Sequence, residues 1–149
     1  MKKIKIIVLA AFSLVLTSWN LPAGVTEEAI VVIVHPENPI QSLTLGQVQA
    51  LYKNHVRYWP NGPMVHLYDL EVDSGARIRF SASVLKSSPY RVERDWMQRT
   101  MVNEFMSIRR KVLSPAVMQD RVARDPRAIG YLLKRDLTAE DVRIVATIE

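Results

Sequence analysis

Residues Ala29 to Val34 read AIVVIV, an apolar and largely β-branched run that His35-Pro36 brings to an end. A strand with one wet face alternates apolar and polar side chains. Six apolar residues in succession instead predict a strand covered on both faces, as in a parallel sheet flanked by helices. After it, Pro36-Glu37-Asn38-Pro39 makes a stiff loop, and Thr44-Leu45-Gly46-Gln47 has the spacing of a capping box. Val48, Leu51 and Tyr52 then recur at helical intervals, predicting a short helix from about Leu45 to Lys53. The turn cluster Trp59-Pro60-Asn61-Gly62-Pro63 precedes Met64–Leu70 (MVHLYDL), which reads as the next strand.

Further along, Ser74 stands where it can cap a helix whose inner face holds Ala76, Phe80 and Val84. Ser88-Pro89 and Ser114-Pro115 repeat the start signal. Val92, Trp96, Met97, Met101 and Met106 read as a core-facing helical set, and Asp125-Pro126 closes the last helix. Ala128–Leu133 and Val142–Ile148 are the closing strands. The order β-α-β-α-α-α-β-β predicts a three-layer α/β sandwich with no internal repeat or long linker.

The chain has 149 residues, 48% of them hydrophobic and 23% charged, which fits a single globular domain. It has no cysteine, which excludes disulfides, thiolate metal sites and cysteine nucleophiles. Lys2, Lys3 and Lys5 precede an apolar run, Ile6 to Leu16, and then Thr17 to Gly24. This pattern is expected to be a secretory signal peptide over 1–24, cleaved after Ala23 or Gly24, with 25–149 as the single domain. The run falls short of the ~20 residues a spanning helix needs. Loss of 1–24 lowers the basic residues from 20 to 17 against 15 acids, so the formal charge falls from +5 to +2. Arg109-Arg110-Lys111 reads as a solvated helix end, and no nucleic-acid partner is expected. The expected location is the periplasm, where a disulfide-free exported domain can fold.

The segment Tyr68 to Phe80, YDLEVDSGARIRF, carries the most chemistry. A strand leads through a loop into a helix, and the first helical amides lack internal acceptors and sit at the positive end of the dipole. Ser74 can add a hydroxyl donor, Gly75 leaves the backbone open, and Arg77 or Arg79 can supply a planar cation. The same residues also read as a plain capped surface helix. Elsewhere the signals are thinner. His35, His55 and His66 lack metal-ligand spacing, so neither a metal nor a cofactor is expected. Ser74, His66 and Asp69 contain the residue types of a hydrolase triad without a G-x-S-x-G elbow. Tyr52, Tyr58 and Trp59 form an aromatic group that reads as core or, if exposed, as a partner patch.

Four segments, VIVHPENPIQSLTLGQVQALY (32–52), WPNG (59–62), VDSGARIRF (72–80) and RDPRAIGYL (124–132), follow one another in this order. In that order they resemble the phosphate substrate-binding-protein-like family, periplasmic type 2 binding-protein domains related to the receptors of phosphate ABC transporters. The chain is similar in particular to the short, roughly half-length members, over about Ile30 to Leu133. The resemblance implies one lobe of such a protein, no enzymatic activity, and a ligand that is phosphate or another small oxyanion held by Ser74, Gly75, Ala76 and Arg77. It also implies a membrane transporter or sensor as partner.

Three positions depart from the full-length receptors. Leu70 stands where they have a phosphate-binding arginine, Asp73 replaces a glycine, and Ala76 replaces a threonine. The Ser/Thr-rich loop of their other lobe has no counterpart at Val34-His35-Pro36-Glu37-Asn38-Pro39, and Asn54 stands where short members usually have glycine. The alternative reading is an interaction module that has lost its ligand and docks on a membrane or envelope partner.

Overall fold

The computed structural model describes residues 28–102 and 108–149. The expected signal peptide and Met106 lie outside the described residues. Five strands form one sheet: β1 (Ile30–Val34), β2 (His66–Leu70), β3 (Ile108–Val112), β4 (Ala128–Leu133) and β5 (Arg143–Ile148). Their order is β3-β2-β4-β1-β5. β2 is parallel to both β3 and β4, whereas β1 is antiparallel to both β4 and β5. Among the described residues there are four α-helices: α1 (Leu45–Tyr52), α2 (Gly75–Phe80), α3 (Pro89–Met101) and α4 (Pro115–Ala123). A π-helical turn, Ser81–Leu85, continues α2.

The pleat shows how the layers are arranged. A Cβ at Gly130 would run into the side chain of Met118 and lie 3.0 Å from Val122 Cγ2, so α4 packs on that face of β4. The next residue, Tyr131, points the other way. Its ring stacks on Phe80 of α2 at 3.8 Å and meets Tyr52 of α1 edge-on at 5.6 Å. The sheet therefore lies between α4 on one side and α1, α2 and α3 on the other, the three-layer α/β sandwich expected from the sequence.

The helix starts follow the side-chain signals. Thr44 and Gln47 close the capping box at α1, and Ser74, Ser88 and Ser114 each accept a hydrogen bond from the third helical amide of α2, α3 and α4. Three expectations are corrected. β1 is buried on both faces without being parallel to a neighbour, because burial requires helices above and below and not a particular strand direction. Arg109-Arg110-Lys111 is not a helix end but part of edge strand β3; charges facing alternate sides let a polar sequence serve as an edge. Met97 and Met101 are exposed on α3, where Trp96 carries the packing.

Gly130→Ala is expected to cost about 1–3 kcal/mol, since the added methyl must displace buried Met118 and Val122. A urea midpoint unchanged from the parent would rule out this tight packing of α4 on β4.

Candidate functional site at the carboxyl end of the second strand

β2 ends at Leu70, and the chain turns through Glu71-Val72-Asp73, closed by a hydrogen bond from the Ser74 amide to Glu71 O at 3.0 Å. Ser74 is extended, with φ −70° and ψ 141°. Its Oγ accepts from the Arg77 amide at 3.2 Å, which leaves the hydroxyl proton available to an acceptor outside the helix. The amides of Gly75 and Ala76 precede the helical ladder and have no i−4 partner inside it. Gly75 is exposed, and nothing lies within 4 Å of the position its Cβ would take. Ala76 is buried, and Asp73 is exposed beside the helix start. Ser74, Gly75 and Ala76 thus form one open helix start behind the carboxyl end of β2. In open α/β sheets that end of parallel strands is where ligands sit.

Arg77 is placed differently. Its side chain is fully buried, and Nη1 donates to Asp69 Oδ1 at 2.5 Å. Nε and Nη2 are buried without hydrogen-bond partners, as is Ser81 Oγ. Leu70, at the position of the receptors' arginine, is a buried core residue.

Asp69 is the centre of a network not evident in the sequence. Arg109 of β3 donates to its Oδ2 through Nε at 2.8 Å and Nη2 at 2.5 Å. Tyr131 of β4 donates to its Oδ1. Arg109 Nη2 also reaches Glu93 Oε2 of α3 at 2.8 Å, and Lys111 Nζ lies 3.0 Å from Glu93 Oε1. The Arg109 guanidinium covers the Trp96 ring at 5.0 Å. Burial and the Asp69 charge push the Tyr131 hydroxyl well above its ordinary pKa, so it remains a donor. Burial opposes the charged form of Arg109, but the Asp69 and Glu93 carboxylates outweigh it and raise its pKa. The only sequence signal for Asp69 was an acid inside an otherwise buried strand, which demands a counter-charge.

The hydrolase residue types do not converge. His66 Nδ1 pairs with Asp125 Oδ2 at 2.6 Å, Asp69 holds the arginines, and Ser74 Oγ caps α2. His35 Nδ1 accepts from the Glu37 amide, and among the described residues no three His, Asp or Glu side chains are grouped to hold a metal. Of the aromatic group, Tyr52 and Trp59 are core and Tyr58 is exposed.

Asp69→Asn leaves Arg77 buried without its counter-charge and is expected to cost about 3–5 kcal/mol. A loss below about 1 kcal/mol in urea unfolding would contradict this role.

Acid should weaken the fold as well. Burial tends to raise the Glu93 carboxyl pKa, but Lys111 and Arg109 bring it below its ordinary value. Burial likewise opposes ionisation of Asp125, and His66 with Arg127 more than reverses it. Both folded pKa values lie below the unfolded ones, so the unfolded chain takes up protons first as pH falls. This stability is present above the unfolded carboxylate pKa, about 4, and lost on acidification through the folded values. The melting temperature should fall over that range, and less steeply in Glu93→Gln.

The sequence matches no family model and no curated protein. Solved structures do match. An ABC-type phosphate transport receptor from Vibrio cholerae superposes with a TM-score of 0.62 at 18% identity, over 80% of this chain and 47% of the receptor. A putative phosphate ABC transporter substrate-binding protein with bound phosphate, from Clostridium perfringens, gives 0.61 at 21% identity, over 80% of this chain and 45% of its own. PstS from Borrelia burgdorferi gives 0.56 at 14% identity, over 80% and 51%. The chain spans about half the length of these structures. It has the fold of one lobe of the phosphate ABC transporter substrate-binding proteins.

Proposed function

We propose that this chain is an exported, periplasmic solute-binding-protein-like domain that binds phosphate or another small oxyanion and makes or breaks no bond. The observation that carries the reading is the open helix start at Ser74 and Gly75, at the carboxyl end of β2, in a fold shared with phosphate-transport receptors. The Ser74 hydroxyl and the Gly75 and Ala76 amides donate to the anion, and the dipole of the helix favours its charge. Arg77, fully buried and paired with Asp69, makes no contact with the anion. Asp73 opposes a dianion by like-charge repulsion. A single lobe also leaves the ligand open on one side, which keeps affinity low. The membrane partner is a transporter or a sensor.

The test is calorimetry with phosphate and sulfate on residues 25–149. Saturable heat is expected. Ser74→Ala, which removes one hydrogen bond to a charged ligand, should weaken binding roughly tenfold. Ser74→Asp retains a capping side chain and presents a negative charge, so it should abolish binding while the fold stands. Unchanged affinity in Ser74→Asp, or no heat up to millimolar anion, would sink the assignment. Export is checked separately: protein recovered from the periplasmic fraction should begin near Gly24 or Val25.

One observation favours the docking alternative. Tyr90, Met97 and Met101 expose apolar side chains along α3. Light scattering that found a dimer, lost in Met97→Lys, would support an interaction module.

A further inference from the structure

A second feature lies at the other end of α2, away from Ser74. The helical stretch from Gly75 to Leu85 covers eleven residues, about 16 Å at the α-helical rise. Where it ends, a cleft of about 320 Å³ opens between the end of α1, the π-helical turn and the side of α3 from Arg91 to Arg99. Lys53, His55, Lys86, Ser87, Arg91 and Arg99 line it. Its deeper side is apolar, formed by Leu85, Val92 and Trp96.

The charge in this cleft is one-sided. Among the described residues that line it, four cations face the single carboxylate of Asp95, an excess of three positive charges. Asp95 lies 3.9 Å from Arg99. Lys53, Lys86 and Arg91 have no side-chain partner among the described residues. The carboxyl end of α1 does not neutralise them, because its last carbonyls are already engaged: Tyr52 O accepts from Trp96 Nε1 at 3.3 Å and Lys53 O from Arg99 Nη1 at 2.9 Å. The amino end of α3, a thirteen-residue helix capped by Ser88, adds its positive dipole end.

The backbone is unusual here too. Lys86 is left-handed at φ 54°, directly after the π-helical turn, and Asn54 is left-handed at φ 60° between the lining residues Lys53 and His55. Such conformations disfavour side chains larger than glycine, and both they and π-helical turns gather at functional positions.

We propose that this cleft is a ligand site separate from the Ser74 helix start, and that it takes a phosphate group carried on a small organic body. Lys53, Lys86 and Arg91 hold the phosphate, which lysine meets as a point charge and arginine with a planar fork. The organic body lies on Leu85, Val92 and Trp96. The volume is at the small end of ligand pockets, which favours a small molecule over a polymer. The proposal does not depend on the oxyanion reading at Ser74.

Phenyl phosphate is the probe, titrated into isotope-labelled protein and followed by amide chemical shifts. Saturable shifts at Lys53 and from Lys86 to Val92 are expected. The double variant Lys86→Glu with Arg91→Glu should weaken binding at least tenfold. Arg91 is the third residue of α3 behind the Ser88 cap, where glutamate completes a capping box, so this change should not unfold the helix. Arg121→Glu at the end of α4, with Arg124→Glu just after it, makes the same change in net charge elsewhere and should leave affinity unchanged. Ser74→Asp should leave it unchanged as well, which separates this site from the one above. Phosphatidylglycerol vesicles form the second arm: the same shifts with vesicles alone, lost in the double variant, would assign the phosphate to a lipid headgroup. Binding that survives the double variant, or no response to either probe at millimolar phosphate, overturns the proposal.

Discussion

A carboxylate in the middle of a buried strand constrains this half of the fold. Asp69 lies on β2 among side chains that exclude water, and an unpaired charge there would cost several kcal/mol. Two guanidinium groups and one phenol answer it, each from a different element: Arg77 from α2, Arg109 from β3 and Tyr131 from β4. The same atoms that neutralise the charge therefore fix α2 and both neighbouring strands against β2. Through Arg109, the tie extends to Glu93 and Trp96 of α3.

The ladder around Asp69 shows why such ties are needed. β2 pairs with β4 only at His66 with Ala128 and Leu67 with Ile129. Beyond those residues, side-chain hydroxyls take up main-chain groups. Tyr52 donates to the carbonyls of Tyr68 and Ile129, at 3.0 and 3.3 Å, and Tyr131 accepts from the Leu70 amide at 3.3 Å. Buried main-chain polar groups require partners, and two tyrosines supply them where the strands no longer do. The pKa of Tyr52 is raised by burial and by the nearby Tyr131 and Asp69, so its proton stays in place for that donation.

Local signals made much of the fold legible. Four helix starts were readable because each depends on a side chain within three residues of the amide it satisfies. β1 was readable because helices on both sides leave no position for a polar residue. What stayed hidden depends on contacts distant in sequence. The direction of β1 is set by its partners β4 and β5, about a hundred residues later. Ile108–Val112 does not look like a strand, since its arginines are accounted for by Asp69, 40 residues earlier, by Glu93 of α3, and by Tyr68, whose hydroxyl accepts from Arg110. Met97 looked like core by its apolar character, yet it follows Trp96 by one residue, a 100° turn of the helix, and faces away from the packed stripe. At the candidate site, the Ser74 cap and the open Gly75 were legible. The engagement of Arg77 was not, because nothing near it in sequence tells a free guanidinium from one held by a buried acid.

That engagement bears on how a single lobe can hold an anion. Near Ser74 two cations are already paired from within: Arg77 and Arg109 both hold Asp69. What remains at the helix start is a hydroxyl, two amides and a dipole, enough to orient an oxyanion but with little net charge to attract it. Three cations without a side-chain partner among the described residues, Lys53, Lys86 and Arg91, lie at the far end of the same helical stretch. Coulomb attraction falls with distance and is screened within about 8 Å at physiological salt. Those cations therefore do not assist a ligand at Ser74, and each end of the helix presents its own chemistry to solvent.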